Sequence, residues 1–339
     1  MTNLRDLTYE ELENLILDLG EKKFRAKQVY EWLMKGVNSY DDMLNVPSLL
    51  KAKLSENYFI HGLEIAKKLV SAIDNTKKYL FKLHDGNMVE SVVMYYKHGI
   101  TVCISSQVGC AMGCKFCAST IGGLVRNLSS GEILEQVIYA QKDIGERISN
   151  IVMMGIGEPL ANFQNVKKFL KNINDERGLN IGYRHISLST CGVVPNILEL
   201  AKEKLPITLS ISLHSPVDSA RSSIMPINDK YNISSLIDAC KRYQQQCGRR
   251  ISFEYAIIKD VNDSIDDAKK LAGLLKGIMC HVNVIPVNNV EENSYQKPDA
   301  SKIKSFCDYL ESKSITATVR RELGSDINAS CGQLRKNNM

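Results

Sequence analysis

The sequence has no long apolar run, and it contains one tryptophan and eight prolines among 339 residues. No stretch approaches the roughly 18 apolar residues of a membrane span, and the start lacks a basic stretch followed by an apolar one. Net charge is small as well, because 43 Lys and Arg against 38 Asp and Glu give +5. That balance permits an anionic partner without requiring one. We therefore expect a folded cytoplasmic protein.

Ten cysteines are spread along the chain, and three of them, Cys110, Cys114 and Cys117, have the spacing C-x3-C-x2-C. A large chain without an export signal is expected to keep its thiols reduced rather than to build a disulfide framework. Zinc normally takes four protein ligands, and no second cysteine pair or nearby histidine follows the motif. Three thiolates can instead hold three irons of a four-iron cluster and leave the fourth iron open to a small chelating molecule.

The first part of the chain predicts a small helical domain followed by antiparallel strands. Thr8 and Glu11 predict a capping box for a helix that ends near Gly20, and a second helix is expected over about 25–35. From 63 to 94, short apolar runs alternate with turn residues, which is typical of hairpins. We place a helical accessory domain at 1–60 and an antiparallel linker sheet at 61–95.

Beyond residue 99, short β-rich runs alternate with helical patterns. The predicted strands are 100–106, 148–154, 185–189, 207–214, 251–258 and 281–286. The predicted helices are 130–144, 163–174, 195–203, 234–247, 264–275 and 299–312. Six βα units predict an α/β fold with a parallel sheet, and a complete eight-fold barrel takes about 250 residues. We therefore expect a partial (β/α)6 barrel at 96–326, with its chemistry at the carboxyl ends of the strands, and a C-terminal segment at 327–339.

The cysteine motif at the end of the first strand of such a domain resembles that of radical S-adenosylmethionine (SAM) enzymes. Five segments resemble the dual-specificity ribosomal and transfer RNA adenine-C2 methyltransferases, over nearly the whole chain: CISSQVGCAMGCKFC (103–117), MGIGEPLAN (154–162), LSTCGVVP (188–195), SLHS (212–215) and SDINASCGQL (325–334). The resemblance implies a 4Fe-4S cluster on Cys110, Cys114 and Cys117, with SAM as the second cofactor.

The resemblance also implies which residues contact SAM: Gly157, Glu158, Ser189, Ser212, Leu213, His214 and Asn288. Gly157 and Glu158 follow a predicted strand, where glycine lets a ligand approach the backbone and the carboxylate can accept hydrogen bonds from an ammonium group. Without the family, the G-x-G-E run indicates only a strand-to-helix turn, and His214 indicates a buried structural histidine.

The same resemblance implies a radical mechanism that consumes two SAM per turnover. One SAM methylates Cys331, and a second is split to a 5′-deoxyadenosyl radical that takes hydrogen from the S-methyl group. The methylene radical adds to adenine carbon 2, which is electron-poor and offers no nucleophile for ordinary displacement. Cys103 matches the resolving thiol, which forms a transient disulfide with Cys331 and must be an accessible thiolate. Glu90 matches the proton acceptor, and whether Glu90 or Cys103 takes the proton stays open.

The implied partners are 23S rRNA, tRNA and an electron donor such as flavodoxin or ferredoxin, acting on a monomer. An RNA substrate requires a cationic approach to the cleft, and eight residues are candidates: Lys22, Lys23, Arg25, Lys27, Arg126, Arg320, Arg321 and Arg335. For the first 85 residues we expect a mobile domain that helps to remodel the RNA. The other cysteines are interpreted as packing residues: Cys191, Cys240, Cys247, Cys280 and Cys307.

Two alternatives stay open at this point. The related enzymes that methylate carbon 8 of the same ribosomal adenine and confer antibiotic resistance share Cys103, the cluster motif and Cys331. Pro159 favours carbon 2, because the carbon-8 enzymes resemble this chain but carry alanine there. A rival of another class is a non-catalytic iron–sulfur or zinc protein that binds RNA.

Overall fold

A ten-stranded mixed sheet forms the centre of the protein in the computed structural model, which describes residues 1–60, 62–288 and 294–334. The strands are β1 (Thr2–Asn3), β2 (Tyr58–Phe59), β3 (Glu64–Val70), β4 (Lys77–Lys82), β5 (Met88–Tyr96), β6 (Gly99–Cys103), β7 (Gln107–Gly109), β8 (Leu124–Asn127), β9 (Ile148–Met153), β10 (Ile186–Thr190), β11 (Thr208–Ser212), β12 (Ile251–Ile257), β13 (Cys280–Pro286) and β14 (Thr316–Val319).

Helices cover the sheet and form most of the N-terminal segment. They are α1 (Tyr9–Asp18), α2 (Phe24–Met34), α3 (Ser48–Ser55), α4 (Ser130–Ile144), α5 (Phe163–Asn174), α6 (Val194–Lys202), α7 (Asp218–Ile224), α8 (Ile227–Lys230), α9 (Ile233–Cys247), α10 (Ile265–Leu275) and α11 (Ala300–Ser312). Within the described ranges, none of them is long and apolar enough to cross a membrane.

The strand order is β14-β13-β12-β11-β10-β9-β6-β5-β4-β3. Neighbours from β14 to β6 are parallel, and those from β6 to β3 are antiparallel. The prediction of an α/β fold with a parallel sheet and an antiparallel extension is confirmed. The outer strand β14 was not predicted, because it has only four residues and buries one of them.

The helix and strand patterns predict most boundaries closely. Helices α4 and α5 have the predicted bounds, and the capping box of Thr8 and Glu11 starts α1. The first parallel strand is shorter than expected and ends at Cys103. Beyond Cys103, the Ile104 amide still donates to the Val152 carbonyl of β9, and the Ile104 carbonyl accepts from the Gly155 amide at the turn after β9. This turn brings the 104–106 segment beside the Gly-Glu motif.

The N-terminal helices pack on the sheet domain through a shared apolar core and a buried ion pair. Leu12 of α1 and Val137 of α4 belong to one cluster of buried side chains. Arg5 donates to Glu135 at 3.0 Å, and both side chains are almost completely buried. Because removing either partner would leave a buried charge, this contact holds the segment in place. The expectation that the first 85 residues form a mobile unit stays a prediction.

Candidate active site

The three motif cysteines lie on one loop that follows β7. Strands β7 and β8 pair in antiparallel fashion, and the Cys110 amide donates to the Gly123 carbonyl at 3.2 Å. Gly109 has a φ of +73°, and a Cβ there would lie 1.9 Å from the Gly123 carbonyl oxygen. Only glycine fits such a position. The β7–β8 pair therefore fixes the two ends of the cysteine loop.

The donor set of this loop suits a four-iron cluster better than a single ion. Burial raises the pKa of Cys110 to about 12 and also raises the pKa of Cys114 and of Cys117. In the part of the chain that the structure describes, no three His, Cys, Asp or Glu side chains converge as the ligands of one metal ion do. A four-iron cluster needs no such convergence, because each thiolate binds a different iron. The zinc alternative gains no support from this arrangement.

A cavity of about 160 Å³, here called the cofactor cavity, lies at the carboxyl ends of the parallel strands. All three motif cysteines line it, together with six of the seven predicted SAM contacts: Gly157, Glu158, Ser189, Ser212, His214 and Asn288. The seventh, Leu213, has a side chain that is completely buried in the main apolar core instead. Residues that are far apart in sequence thus meet in one place.

Glu158 is almost completely buried in the wall of the cofactor cavity. Its Oε1 accepts from the Leu160 amide at 2.9 Å, and its Oε2 accepts from the Cys191 amide at 2.7 Å. Burial raises the pKa of Glu158, and these hydrogen bonds oppose that shift. Each carboxylate oxygen can accept a further hydrogen bond. The carboxylate is therefore held at a fixed position where it can receive a ligand ammonium group.

His214 follows β11 and is a neutral side chain in the same wall. Burial lowers the pKa of His214 to about 3, and the positive charge of Arg221 adds to that shift. The Ala256 amide donates to Nδ1 at 2.8 Å, and the ring meets Phe116 edge-on with centroids 4.8 Å apart. A neutral imidazole that accepts at Nδ1 carries its proton on Nε2. His214 is thus a hydrogen-bond donor in the wall and not a cation.

A buried arginine, which the sequence reasoning missed, fastens two strand ends of the cofactor cavity. Arg221 Nε donates to the Leu213 carbonyl at 3.0 Å, and Nη2 donates to the carbonyls of Cys191 (2.7 Å) and Ser212 (3.1 Å). Nη1 donates to the Asn228 side chain at 2.8 Å. Cys191 follows β10 and Ser212 ends β11. The short helix D-S-A-R-S-S-I has no apolar period that would have indicated this role.

A second cavity of about 480 Å³ adjoins the cofactor cavity. Its lining includes Val92, Met94, Tyr96 and Cys103. Four cations also line it: Lys297, Lys304, Arg320 and Arg321. Both cavities share the lining residues Met154, Ile285, Asn288, Arg320 and Cys331. Cys331 therefore stands in the wall between them and borders both.

The segment 324–334, which carries Cys331, is held against the cysteine loop. The Ala118 amide, next to the last motif cysteine, donates to the Gly332 carbonyl at 2.7 Å. The Asn288 side chain donates to the Cys331 carbonyl at 2.9 Å. Asn288, for which the family resemblance predicts SAM binding, thus also holds the backbone of Cys331, the predicted methyl carrier.

Cys103 lines the second cavity together with Cys331, and all ten cysteines are free thiols in this structure. Burial raises the pKa of Cys103 to about 12; the nearby Cys331 adds to that shift, and the Arg320 guanidinium opposes it. Cys103 is therefore a protonated thiol at neutral pH. The expectation of an accessible thiolate is wrong for this state, because the side chain is 6 % exposed.

Glu90 borders neither cavity in this structure, although it shares a strand with three residues that line the second one. It is completely buried, and Lys78 Nζ lies 2.8 Å from its Oε1. The sequence alone would equally suit an exposed strand carboxylate. Its complete burial beside a cation excludes the alternative of an exposed surface carboxylate.

The predicted RNA-binding cations differ in their surroundings. Arg126 is bound by Asp85 and Glu132, so its charge is already compensated. Arg320 lines the two cavities instead of lying on the outer surface, and Arg321 is exposed at the second one. The other four lie at the start of α2 and are exposed or half-buried: Lys22, Lys23, Arg25 and Lys27. Arg335 lies outside the described residues.

Two of the cysteines interpreted as packing residues also border the site. Cys191 is buried beside Cys114 and lines the cofactor cavity, and Cys307 lines the second cavity. Cys240 is completely buried in the main core, whereas Cys247 and Cys280 are half-buried. Cys240 is thus a packing residue as predicted, whereas Cys191 and Cys307 both pack in the core and line a cavity.

Comparison with known proteins shows the family of the chain. The model of the "Radical SAM superfamily" matches residues 104–272, and that of the "Ribosomal RNA large subunit methyltransferase N-terminal domain" matches 2–60. A relative from Clostridium acetobutylicum, described as "Probable dual-specificity RNA methyltransferase RlmN", is 56% identical over 99% of this chain and 98% of its own length. The chain belongs to the RlmN family. A relative from Alkaliphilus oremlandii with the same description is also 56% identical, over the same shares.

A solved structure supports the fold as well as the family. The crystal structure of a radical SAM methyltransferase from Sphaerobacter thermophilus has a TM-score of 0.94 and 41% identity, covering 99% of this chain and 100% of that one. As a member of the radical SAM superfamily, the RlmN-family enzyme described here uses a 4Fe-4S cluster and SAM.

Proposed function

We infer that this protein is a radical SAM methyltransferase that methylates carbon 2 of adenine in 23S rRNA and in tRNA. Family membership over the full chain supports the reaction. The observation that carries the assignment is the position of Cys331 between two cavities. A residue that must take a methyl group from one ligand and pass it to another needs access to both.

We propose that the cofactor cavity holds both cofactors through the chain's own residues. Cys110, Cys114 and Cys117 would bind three irons, and Glu158 would accept hydrogen bonds from the methionyl ammonium group. When bound, the cluster supplies the electron that splits SAM homolytically. Five further residues would orient SAM: Gly157, Ser189, Ser212, His214 and Asn288, with Leu213 contributing only its backbone.

Cys331 would carry the methyl group, and Cys103 would release the product. The Cys331 thiolate accepts a methyl group, and the carbon of that group later bonds to adenine in the second cavity. Cys103 then attacks the Cys331 sulfur, so that a transient disulfide forms and the sulfur–carbon bond breaks. The electron pair of that bond passes to the carbon, which takes up a proton and becomes the methyl group of adenine. The shared cavity lining of the two cysteines supports this pairing. Because Cys103 is a buried thiol, its proton must leave before it attacks.

We propose Glu90 as the group that accepts the proton from adenine carbon 2. It shares a face of β5 with Val92 and Met94, which line the second cavity. The RNA backbone would meet Lys297, Lys304 and Arg321 at this cavity, because phosphates bind clustered cations. Lys297 and Lys304 were not among the candidates from the sequence.

The domain division and the partners are part of the same proposal. We propose a helical RNA-binding domain at 1–60, a linker sheet at 61–95, a radical SAM core at 96–326 and the carrier segment at 327–339. We further propose that the enzyme is a cytoplasmic monomer and that flavodoxin or ferredoxin reduces it.

The test is anaerobic reconstitution with iron and sulfide, followed by incubation with SAM, a reductant and adenine-containing RNA. Mass spectrometry of the RNA nucleosides should show 2-methyladenosine. Finding only 8-methyladenosine would assign the chain to the carbon-8 reaction instead. Reduced protein that forms no 5′-deoxyadenosine from SAM would contradict any radical SAM activity and favour a non-catalytic iron–sulfur protein.

A further inference from the structure

A buried lysine contacts both the proposed proton acceptor and the segment that carries Cys331. Lys78 Nζ lies 2.8 Å from Glu90 Oε1, and the two side chains are 5% and 0% exposed. The same ammonium donates a hydrogen bond to the Asn328 carbonyl at 3.1 Å. Asn328 precedes Cys331 by three residues. One cation therefore links two functional groups that are far apart in sequence.

The register of the antiparallel strands explains this contact. Lys78 of β4 pairs with Val92 of β5, and Leu80 pairs with Glu90, so Lys78 and Glu90 are diagonal neighbours. Diagonal pairs on one face lie within reach of long side chains. Because side chains alternate between the faces of a strand, Glu90 shares its face with Val92, which lines the second cavity.

The ammonium group of Lys78 compensates the charge of its buried neighbour, Glu90. An ionised carboxylate that is removed from water is strongly destabilised unless an opposite charge compensates it. A carboxyl group that has taken up a proton from elsewhere cannot accept one from substrate. The cation at 2.8 Å therefore favours the form of Glu90 that can act as a base.

We propose that Lys78 is a positioning residue, which keeps Glu90 ionised and holds it in register with the Cys331 segment. This inference rests on the proposed function of Glu90. In the step concerned, the carbon 2–hydrogen bond of the adenine adduct breaks, its electron pair stays in the ring and an O–H bond forms on Glu90. Lys78 remains an ammonium group throughout, so the step needs no oxidant or reductant.

The experiment compares Lys78→Met with Lys77→Met in the full-length reconstituted enzyme. Lys77 is the adjacent strand residue, and its ammonium lies over the Tyr95 ring, 5.6 Å from the centroid. In Lys78→Met the covalent protein–RNA adduct should decay about 100-fold more slowly, the scale of a lost general base. The decay should also show a larger isotope effect with RNA deuterated at adenine carbon 2. Lys77→Met should behave as the parent enzyme does.

Methylation of Cys331 is a second readout. It distinguishes a defect in proton removal from a displaced Cys331 segment. Peptide mass spectrometry should find Cys331 methylated to the parent level in Lys78→Met, since the first methyl transfer does not use Glu90. A loss of Cys331 methylation, or slow decay without an increased isotope effect, would overturn the inference and indicate a purely structural lysine.

Two further variants keep the test decisive if Lys78→Met folds poorly. Lys78→Arg retains the charge and should restore adduct decay to within a few-fold of the parent. Lys78→Met combined with Glu90→Gln removes both charges and should decay no more slowly than Glu90→Gln alone, because both changes act on one step. Strictly additive effects would overturn the inference. If the adduct decayed at the parent rate in Glu90→Gln, the proposed role of Glu90 would be wrong. If it decayed slowly in Glu90→Gln but at the parent rate in Lys78→Met, only the role of Lys78 would be wrong.

Discussion

The cofactor cavity and the second cavity are built in different ways, although Cys331 borders both. Adjacent strand ends form the wall of the cofactor cavity. Arg221 joins the ends of β10 and β11, and Glu158 accepts the Cys191 amide. Arg221 and Glu158 are almost completely buried, and the strand ends that they contact are neighbours in one parallel sheet.

The second cavity is closed by a segment from the end of the chain. The Gly324 amide donates to Asp74 at the β3–β4 turn, and Lys78 donates to Asn328; each pair is separated by 250 residues in sequence. A wall held by a few such contacts opens at a lower free energy than a set of strand ends. The comparison teaches that Cys331, the proposed methyl carrier, lies on a wall that is held in place by contacts distant in sequence.

The largest expected effect is the loss of methylation in a Cys331 variant that still binds the cluster. Cys331→Ala should abolish methyladenosine formation. Among the described residues, Cys331 is the only cysteine that lines both cavities. Iron and sulfide content should match the parent, since the three motif cysteines remain. Cys247→Ala is the matched control. Methyladenosine made by Cys331→Ala would refute the carrier.

Replacing Cys103 by Ala should trap protein covalently attached to RNA. In the parent enzyme, the adduct should resolve faster as pH rises, because the raised pKa of Cys103, about 12, leaves the thiol protonated at neutral pH. The thiolate fraction grows about tenfold per pH unit below that pKa. Rapid quenching between pH 7 and 9 measures the rate, and a flat profile would show that Cys103 deprotonation is not limiting.

Arg221→Met tests the rigidity of the cofactor cavity. Three buried carbonyl groups and one amide side chain lose their donor, and each buried group left unsatisfied costs about 1–3 kcal/mol. We expect the free energy of unfolding to fall by about 3 kcal/mol or more, as measured by urea denaturation. The free energy of unfolding should fall less in Arg221→Lys, because the lysine ammonium group can still donate to some of the carbonyls. Parent-like stability in Arg221→Met would show that the strand ends hold without it.

The smallest expected effect concerns the second cavity. Burial raises the pKa of Asp74, but hydrogen bonds from Thr76 and Gly324 outweigh it and lower the pKa. The stabilisation is therefore present at neutral pH and is lost as pH falls through the carboxyl pKa. Asp74→Ala should weaken the closed segment by about 1 kcal/mol. Hydrogen exchange at 324–330 should become faster in Asp74→Ala. The control Asp42→Ala, at an exposed residue, should leave the exchange rate unchanged. Equal exchange rates in the two variants would show that Asp74 does not hold this segment.

Local patterns predicted much of the fold and the three cysteines of the cofactor cavity, whereas the SAM contacts were implied by the family resemblance. The boundaries of α4 and α5 follow from apolar spacing, and the start of α1 follows from a capping box whose two partners are three residues apart. The spacing of the three motif cysteines likewise lies within eight residues. Such signals are visible because their partners are close in sequence.

The missed features depend on partners that are distant in sequence. The contacts of Arg221 with two strand ends and the pair of Lys78 with Glu90 arise only once the sheet is formed. Arg320 looked like a surface cation but lines both cavities. The short helices α3 and α7 were not predicted, since seven or eight residues show too little periodicity.

The most direct test of the account follows the methyl group through Cys331. The reconstituted enzyme is incubated with SAM that carries a deuterated methyl group, freed of excess SAM, and then given RNA with unlabelled SAM. The account predicts deuterium on the Cys331 peptide before RNA is added and in 2-methyladenosine afterwards. Methylated RNA without deuterium, or a Cys331 peptide that never carries the label, would contradict it.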